Sequence, residues 1–284
     1  MKQLVSSLIW SRKVWRNRVY HKFGFLEGQF GRLRWALGLV ILEIYFRFRR
    51  KNTITLMQNS ARLVQRFSFL YKGRSRFSNN FKCRWQDFAF NEVLRRVKFY
   101  YPNFVIPITL IAEPSVKSEM CNGSGGLILT THTNLKSVFS RLFEDLGIES
   151  STIRKYEGGA KTWAKRLGLK SEPRFIRKNS NALLETRRRV SLGEFVVNSV
   201  DYLDYTISAK PNLCISPTMF IFASKLKIRT YFALPRFSDT GELAIIVERA
   251  PEGSIESGLE SFRSFNEKYS GIVKNWSFKV ETAA

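Results

Sequence analysis

The sequence predicts an α/β fold: a mixed, mainly parallel β-sheet flanked by helices and preceded by a basic, membrane-associated helical arm. Two observations predict the sheet. One is an apolar run that leads directly into a histidine and then an amphipathic helix. The other is a downstream alternation of strand-like and helix-like segments. The arm is predicted by basic and aromatic residues concentrated in the first fifty positions.

The clearest local unit spans residues 126–147. Gly126–Thr131 has the length and β-branched content of a buried strand, and His132 follows it at once. The next apolar residues recur at helical spacing, and Gly147 is placed to cap the helix. They are Leu135, Val138, Phe139, Leu142, Phe143 and Leu146. Because open α/β sheets carry chemistry at the carboxyl ends of their strands, His132 is the first candidate functional residue.

Further segments complete the predicted α/β domain, which we place at residues 84–284. Strands are expected at 194–200, 229–235 and 242–249. Helices are expected at 84–99, 181–190, 216–227 and 255–269. Residues 1–83 form the arm.

The charge of the chain requires a polyanionic neighbour. Its 284 residues include 47 Lys and Arg against 23 Asp and Glu, a net charge of +24. Nucleic acid and an anionic membrane surface are the two candidates. The 24 phenylalanines favour the membrane, and the chain carries no RNP, zinc-finger, KH or helix-turn-helix signature. We therefore expect an anionic membrane surface as partner and no nucleic acid.

Within the arm, residues 35–46 (WALGLVILEIYF) are the best candidate for membrane contact. Twelve helical residues reach only about 18 Å, short of the roughly 30 Å hydrocarbon core. Glu43 lies inside this segment, and basic residues flank it on both sides. An interfacial or re-entrant helix is favoured over a span, and a core helix of the globular domain is the alternative. His21, earlier in the arm, is expected at the surface.

The cysteines indicate free thiols in a reducing compartment. Cys83, Cys121 and Cys214 are widely spaced and form no CxxC pair or Cys/His cluster. Neither a disulfide framework nor a metal site is expected.

The order of these segments resembles the lysophospholipid acyltransferases, in particular the lipid A biosynthesis (HtrB/LpxL-like) branch. Gly125–Gly147 is similar to the family's strand, histidine and helix, and His132 falls on the motif histidine. Leu192–Asp204 resembles the family's Gly-Glu, strand, Asp-x-x-Asp block, and Ala223–Phe237 its Pro-Arg block. Arg49–Asn59 is loosely similar to the basic segment after the family's first helix.

The resemblance implies a membrane-associated acyltransferase. It would move a fatty acyl group from acyl-CoA or acyl carrier protein to a lipid-type acceptor, with no metal or organic cofactor. His132 would be the general base. The implied location is the cytoplasmic face of the inner (plasma) membrane, peripheral or monotopic, with acyl carrier protein as a candidate partner.

The chain departs from the family motif five residues after His132. Ser137 stands there in place of the family's carboxylate, and it carries no charge to balance a protonated imidazole. Glu144 and Asp145 lie too far along the helix to replace it. Asp201 and Asp204 follow a neighbouring strand candidate and are the expected substitutes. An acid restored at Ser137 should raise activity only if the rest of the site survives.

Four arginines and one asparagine are substrate-binding candidates. Arg154, Arg177 and Arg187 suit the phosphates of a lipid headgroup or coenzyme A, although a run such as 187–189 also fits a solvated helix face. The resemblance places Arg236 near the substrate. Asn134 is most simply a helix N-cap and is also a candidate contact.

Two other functions remain open at this point. The first is a catalytically weak or inactive relative that binds lipid or acyl chains as a partner or carrier. The second is a basic nucleic-acid-binding protein, supported by charge alone.

Overall fold

A computed structural model describes residues 30–48, 53–71, 85–101, 103–105, 107–133, 135, 138–154, 169–204, 212–238 and 242–270. Within these ranges the first elements are the helices α1 (30–48), α2 (Thr53–Arg66), α3 (Ser68–Tyr71) and α4 (Trp85–Tyr100). There follow β1 (Ile108–Ile111), α5 (Pro114–Cys121), β2 (Gly126–Thr130), α6 (Val138–Asp145) and β3 (Ser150–Arg154).

The remaining elements alternate between strand and helix. They are β4 (Arg174–Arg177), α7 (Ala182–Ser191), β5 (Phe195–Ser199), β6 (Asp201–Asp204), β7 (Asn212–Ile215), α8 (Thr218–Leu226), β8 (Thr230–Phe237), β9 (Leu243–Arg249) and α9 (Ile255–Ser270).

Seven of the strands form one mixed sheet in the order β1-β9-β8-β2-β5-β3-β4. Strands β8, β2, β5, β3 and β4 are parallel to one another, whereas β9 is antiparallel to β8 and β1 is parallel to β9. The carboxyl ends of five strands therefore meet at one edge of the sheet. A separate antiparallel hairpin, β6–β7, follows β5 directly.

Two apolar cores cover the two faces of this sheet. The first packs α1, α2, α4 and α6 against residues such as Ile128, Val197 and Tyr231. The second packs α8 and α9 against residues such as Leu129 and Phe232. Consecutive strand residues enter opposite cores, as a pleated sheet covered on both faces requires. The predicted mixed, mainly parallel sheet with flanking helices is confirmed.

The described part of the arm packs on the first core. Leu42 and Phe46 of α1, with Leu56 and Val64 of α2, are buried together with residues of the sheet. The division at residue 83 stays a prediction, and residues of α1, α2 and α3 contribute to the same core as the strands. In the ranges given above, no helix has both the length and the apolarity needed to cross a membrane.

The helix α1 is anchored at two points. The Tyr71 hydroxyl donates to the Gly38 carbonyl at 2.7 Å, and a Cβ on Gly38 would lie 2.7 Å from Tyr71 Cε1. Near the other end, Tyr100 and Arg96 of α4 both donate to the Glu43 carboxylate. This pairing lowers the pKa of Glu43, first through the Tyr100 hydrogen bond. Glu43 is therefore a contact between two helices of the fold.

Candidate functional site

The candidate site lies where β2 and β5 end side by side. Thr130 and Ser199 are register partners at the ends of these parallel strands. Beyond them the Val200 N–H donates to the Thr130 carbonyl at 3.0 Å, which keeps the two chains together for one more step. His132 and Asp201 each follow two residues after this last register pair, so the sheet brings them to the same level.

His132 and Asp201 are joined by two hydrogen bonds to a single carboxylate oxygen. The backbone N–H of His132 donates to Asp201 Oδ1 at 2.6 Å, and Nδ1 of the ring lies 2.8 Å from the same oxygen. They are 69 positions apart in sequence, and the β2–β5 pairing brings them together. The structure thus places one of the two expected substitute acids against the histidine.

The two partners differ sharply in burial. The Asp201 side chain is 0% exposed, whereas that of His132 is 58% exposed. Asp201 is fixed by the hairpin, where its register partner is Ile215 and the Ser216 N–H donates to the Val200 carbonyl at 2.7 Å. A buried carboxylate held by a hairpin therefore supports a histidine that substrate can reach.

This geometry assigns the roles of the ring nitrogens. An ionised carboxylate has only acceptor sites, so Nδ1 carries the proton in the contact with Asp201. In that tautomer Nε2 is the basic nitrogen. A histidine oriented in this way can take a proton from a hydroxyl and hold the resulting positive charge beside a fixed anion.

Two predicted site residues, Ser137 and Asn134, lie outside the residues that the structure describes. Thr133 accepts a hydrogen bond from the Leu135 N–H at 3.1 Å and so holds the turn after His132. Asp204 ends β6, where its register partner is Asn212. It lies three residues from Asp201, and the two positions therefore belong to opposite faces of the strand.

Arg154 and Arg177 lie at the same edge as His132. They are register partners at the ends of β3 and β4, the next two strands beyond β5. At about 4.8 Å between strands, β3 is roughly 10 Å from β2. Arg154 is half-buried over the Phe175 ring at 4.5 Å, and burial lowers its pKa. Arg177 is exposed. Together they place two guanidinium groups on the same edge of the sheet as the His132–Asp201 pair.

The other two predicted arginines lie elsewhere. Arg236 is half-buried on β8, the strand beside β2, and its position alternates with Ala233 and Phe237 of the first core. It therefore lies on the opposite face of the sheet from Ile128. Arg187 is exposed past the midpoint of α7, which runs away from the carboxyl edge toward the start of β5. Sequence reasoning grouped residues that the fold separates.

Thr130 and Ser199 also lie at this end of the sheet, and they are not among the predicted site residues. Both belong to the face of the first core, by alternation with Ile128 and Val197. The Ser199 hydroxyl is buried and makes no hydrogen bond to the described part of the chain. Its position two residues before Asp201 is the only sequence signal that could have identified it.

The two acids at the end of α6, away from the His132–Asp201 pair, have structural partners. Arg141 pairs with Asp145 at 3.0 Å, and Glu144 accepts the N–H groups of Lys170 and Ser171. Among the residues that the structure describes, no group of three His, Cys, Asp or Glu side chains is placed to hold a metal ion. Cys121 is exposed and Cys214 is buried, while Cys83 falls outside the described ranges.

No protein-family model matches the chain, and no curated protein matches it.

Proposed function

We propose that this chain is a membrane-associated acyltransferase. It moves a fatty acyl group from an acyl thioester, acyl-CoA or acyl carrier protein, to a hydroxyl or amine of a lipid-type acceptor. The observation that carries the proposal is the pairing of exposed His132 with the fully buried carboxylate of Asp201 at 2.8 Å. The order of segments that resembles the lysophospholipid acyltransferases supports the same reaction.

In the proposed step His132 is the general base. Its Nε2 takes the proton from the acceptor group as that group attacks the thioester carbonyl carbon. The C–S bond of the resulting tetrahedral intermediate breaks, and the thiolate leaves. The imidazolium then returns the proton to that sulfur, so the base is regenerated and no cofactor is consumed.

Asp201 takes the role that the family gives to the acid at the position of Ser137. Its carboxylate fixes the tautomer of His132 and balances the imidazolium charge. Because Nδ1 already has this partner, the variant Ser137→Asp should not raise activity. A gain of tenfold or more in that variant would mean that Asp201 does not serve this purpose.

Arg154 and Arg177 are proposed to bind the phosphate groups of the thioester donor. Both lie on the carboxyl edge within reach of a donor whose thioester is at His132. Guanidinium groups suit phosphate because their planar N–H pairs match its oxygens. An anionic membrane surface at the cytoplasmic face of the inner membrane would hold the acceptor.

The test is a transfer assay on the full chain in mild detergent. Radiolabelled acyl-CoA or acyl carrier protein is supplied with a lipid extract, and label in lipid is counted for wild type and for His132→Ala. His21→Ala is the matched control, since it removes the other histidine of the chain. We expect transfer by wild type and by the control, and a residual rate in His132→Ala that is roughly a hundredfold or more below wild type but still measurable.

Equal label in wild type and His132→Ala would refute His132 as the base. Background label in all three proteins with both donors would favour the alternative, a relative that binds lipid or acyl chains without turnover. Retention of labelled acyl chain on the wild-type protein without product would identify that case.

A further inference from the structure

Helix α1 carries an apolar stripe on the face turned away from the core. Its exposed large hydrophobic residues are Phe30, Leu33, Leu37, Val40, Ile44 and Phe48, each at least half exposed. At 100° per residue these six positions fall within an arc of about 80°. We call them the α1 stripe. A contiguous apolar surface of this length, about 27 Å, is unusual for a surface in contact with water alone.

The opposite face of the same helix is buried. Leu42 and Phe46 are almost fully buried in the first core, and the Gly38 backbone lies against Tyr71. On the helical wheel these positions lie about 120–160° from the centre of the stripe. The α1 stripe therefore points outward from a helix that is fixed to the folded domain.

The charges beside the stripe are basic. Arg34 and Arg47 are exposed and flank it on its two sides, and Arg32 is exposed on the same helix. The acid of this helix, Glu43, pairs with Arg47 at 3.3 Å and also accepts hydrogen bonds from Arg96 and Tyr100 of α4, so part of the Arg47 charge is balanced within the protein. An apolar stripe with arginines along both sides matches the boundary of an anionic bilayer, where acyl chains lie below phosphate groups.

We propose that the α1 stripe docks flat on an anionic lipid bilayer, with α1 parallel to the membrane plane. A second copy of the chain is the competing occupant, because the spacing of the stripe also suits a helix pair. Charge decides between them. A second copy would bring the arginines of both helices together in a protein of net charge +24, whereas anionic lipid neutralises them.

This inference rests on the proposed function in one respect: an enzyme whose acceptor is a lipid has to reach that lipid at a membrane surface.

The test is flotation of the full chain with vesicles of phosphatidylcholine containing about a third phosphatidylserine. The variant Leu33→Gln/Leu37→Gln removes two side chains of the stripe. The matched control Leu184→Gln/Leu192→Gln changes two equally accessible leucines on and just after α7. We expect the stripe variant to lose about tenfold or more in vesicle partition, since two leucine side chains no longer enter the lipid. The control should float as wild type does.

A third variant, Leu33→Phe/Leu37→Phe, keeps the stripe apolar and should retain flotation, which separates lost docking from lost folding. Equal flotation of wild type and the glutamine stripe variant overturns the proposal. A concentration-dependent dimer that only the stripe variant abolishes overturns it too, by assigning the stripe to a second copy. Acyl transfer to a detergent-dispersed acceptor should be unchanged in the stripe variant, so failure of docking and failure of catalysis are read separately.

Discussion

Replacing Asp201 with Asn tests how the buried carboxylate supports His132. One oxygen of Asp201 accepts both the backbone N–H and Nδ1 of His132. The amide oxygen of Asn can take the same place, so this variant can retain the tautomer. What it loses is the negative charge beside the imidazolium. Asp201→Asn therefore measures how much the charge of Asp201 stabilises the imidazolium of His132.

The size of that part follows from the geometry. Two unit charges about 4 Å apart interact with roughly 1 kcal/mol in water and roughly 4 kcal/mol at an effective dielectric constant of 20. Asp201 is 0% exposed but the ring is 58% exposed, so solvent screens part of the interaction. An interaction energy between these two limits, about 2–3 kcal/mol, corresponds to a loss of roughly 30- to 150-fold in kcat. Asp201→Ala also removes the acceptor that orients the ring, and it should lose more.

The assay is single-turnover transfer of label from the thioester donor at saturating lipid acceptor. Asp204→Asn is the control, since it makes the same charge change in the same hairpin. We expect the control to lose less than about threefold. More than half of wild-type activity in Asp201→Asn would show that the Asp201 charge does not stabilise the imidazolium, and so would equal losses in the two variants.

Three further predictions concern binding and stability. The double variant Arg154→Gln/Arg177→Gln should raise the KM for the donor about tenfold and leave kcat within about twofold, because each guanidinium offers charge-assisted hydrogen bonds to phosphate. Arg187→Gln is the control. A fall in kcat with an unchanged KM would contradict the assignment of these arginines to phosphate binding. Glu194→Gln should destabilise the fold by about 3 kcal/mol at pH 7 in urea unfolding, because Glu194 is buried with Arg189 and Ser151. Burial raises the pKa of Glu194, but the hydrogen bonds from Ser151 and Arg189 outweigh that effect and hold its pKa below the ordinary value of a glutamate. The stabilisation is therefore present above the ordinary glutamate pKa of about 4.3 and is lost as the pH falls through the lower pKa of the folded state. The difference in stability between the two proteins should narrow in acid, and a difference independent of pH would contradict this. Gly38→Ala should lower the free energy of unfolding by about 1–3 kcal/mol, because the added Cβ would lie 2.7 Å from the buried Tyr71 ring. The measurement is the midpoint of thermal unfolding. An unchanged midpoint would show that α1 can shift away from Tyr71.

The strand, histidine and helix unit could be predicted because its two periodicities are strong. β2 is fully buried, so it appears as a continuous apolar run, and α6 buries one face at helical spacing. Strands β1, β3 and β4 were not predicted. β1 and β4 are edge strands with exposed positions, and β3 begins Ser-Ser because Ser151 pairs with Glu194 and Arg189 of the sheet's amino end. Such strands lack the apolar run that sequence reasoning requires.

The sequence indicates that the acid supporting His132 is Asp201 or Asp204, but it does not decide between them. The choice depends on the hairpin β6–β7, which places the two acids on opposite faces. The expected strand ended at residue 200, so this alternation was not visible. Helix α1 shows a similar limit. Its sequence suggested either a membrane helix or a core helix, and the two faces of α1 carry the features of both.

The most direct test of the central claim is a double-mutant cycle on His132→Ala and Asp201→Asn in the transfer assay. If Asp201 acts through His132, the double variant is no slower than His132→Ala alone, because the carboxylate has no imidazolium left to stabilise. Losses in the two single variants that multiply in the double variant would contradict the account, since they would mean that Asp201 contributes independently of the histidine.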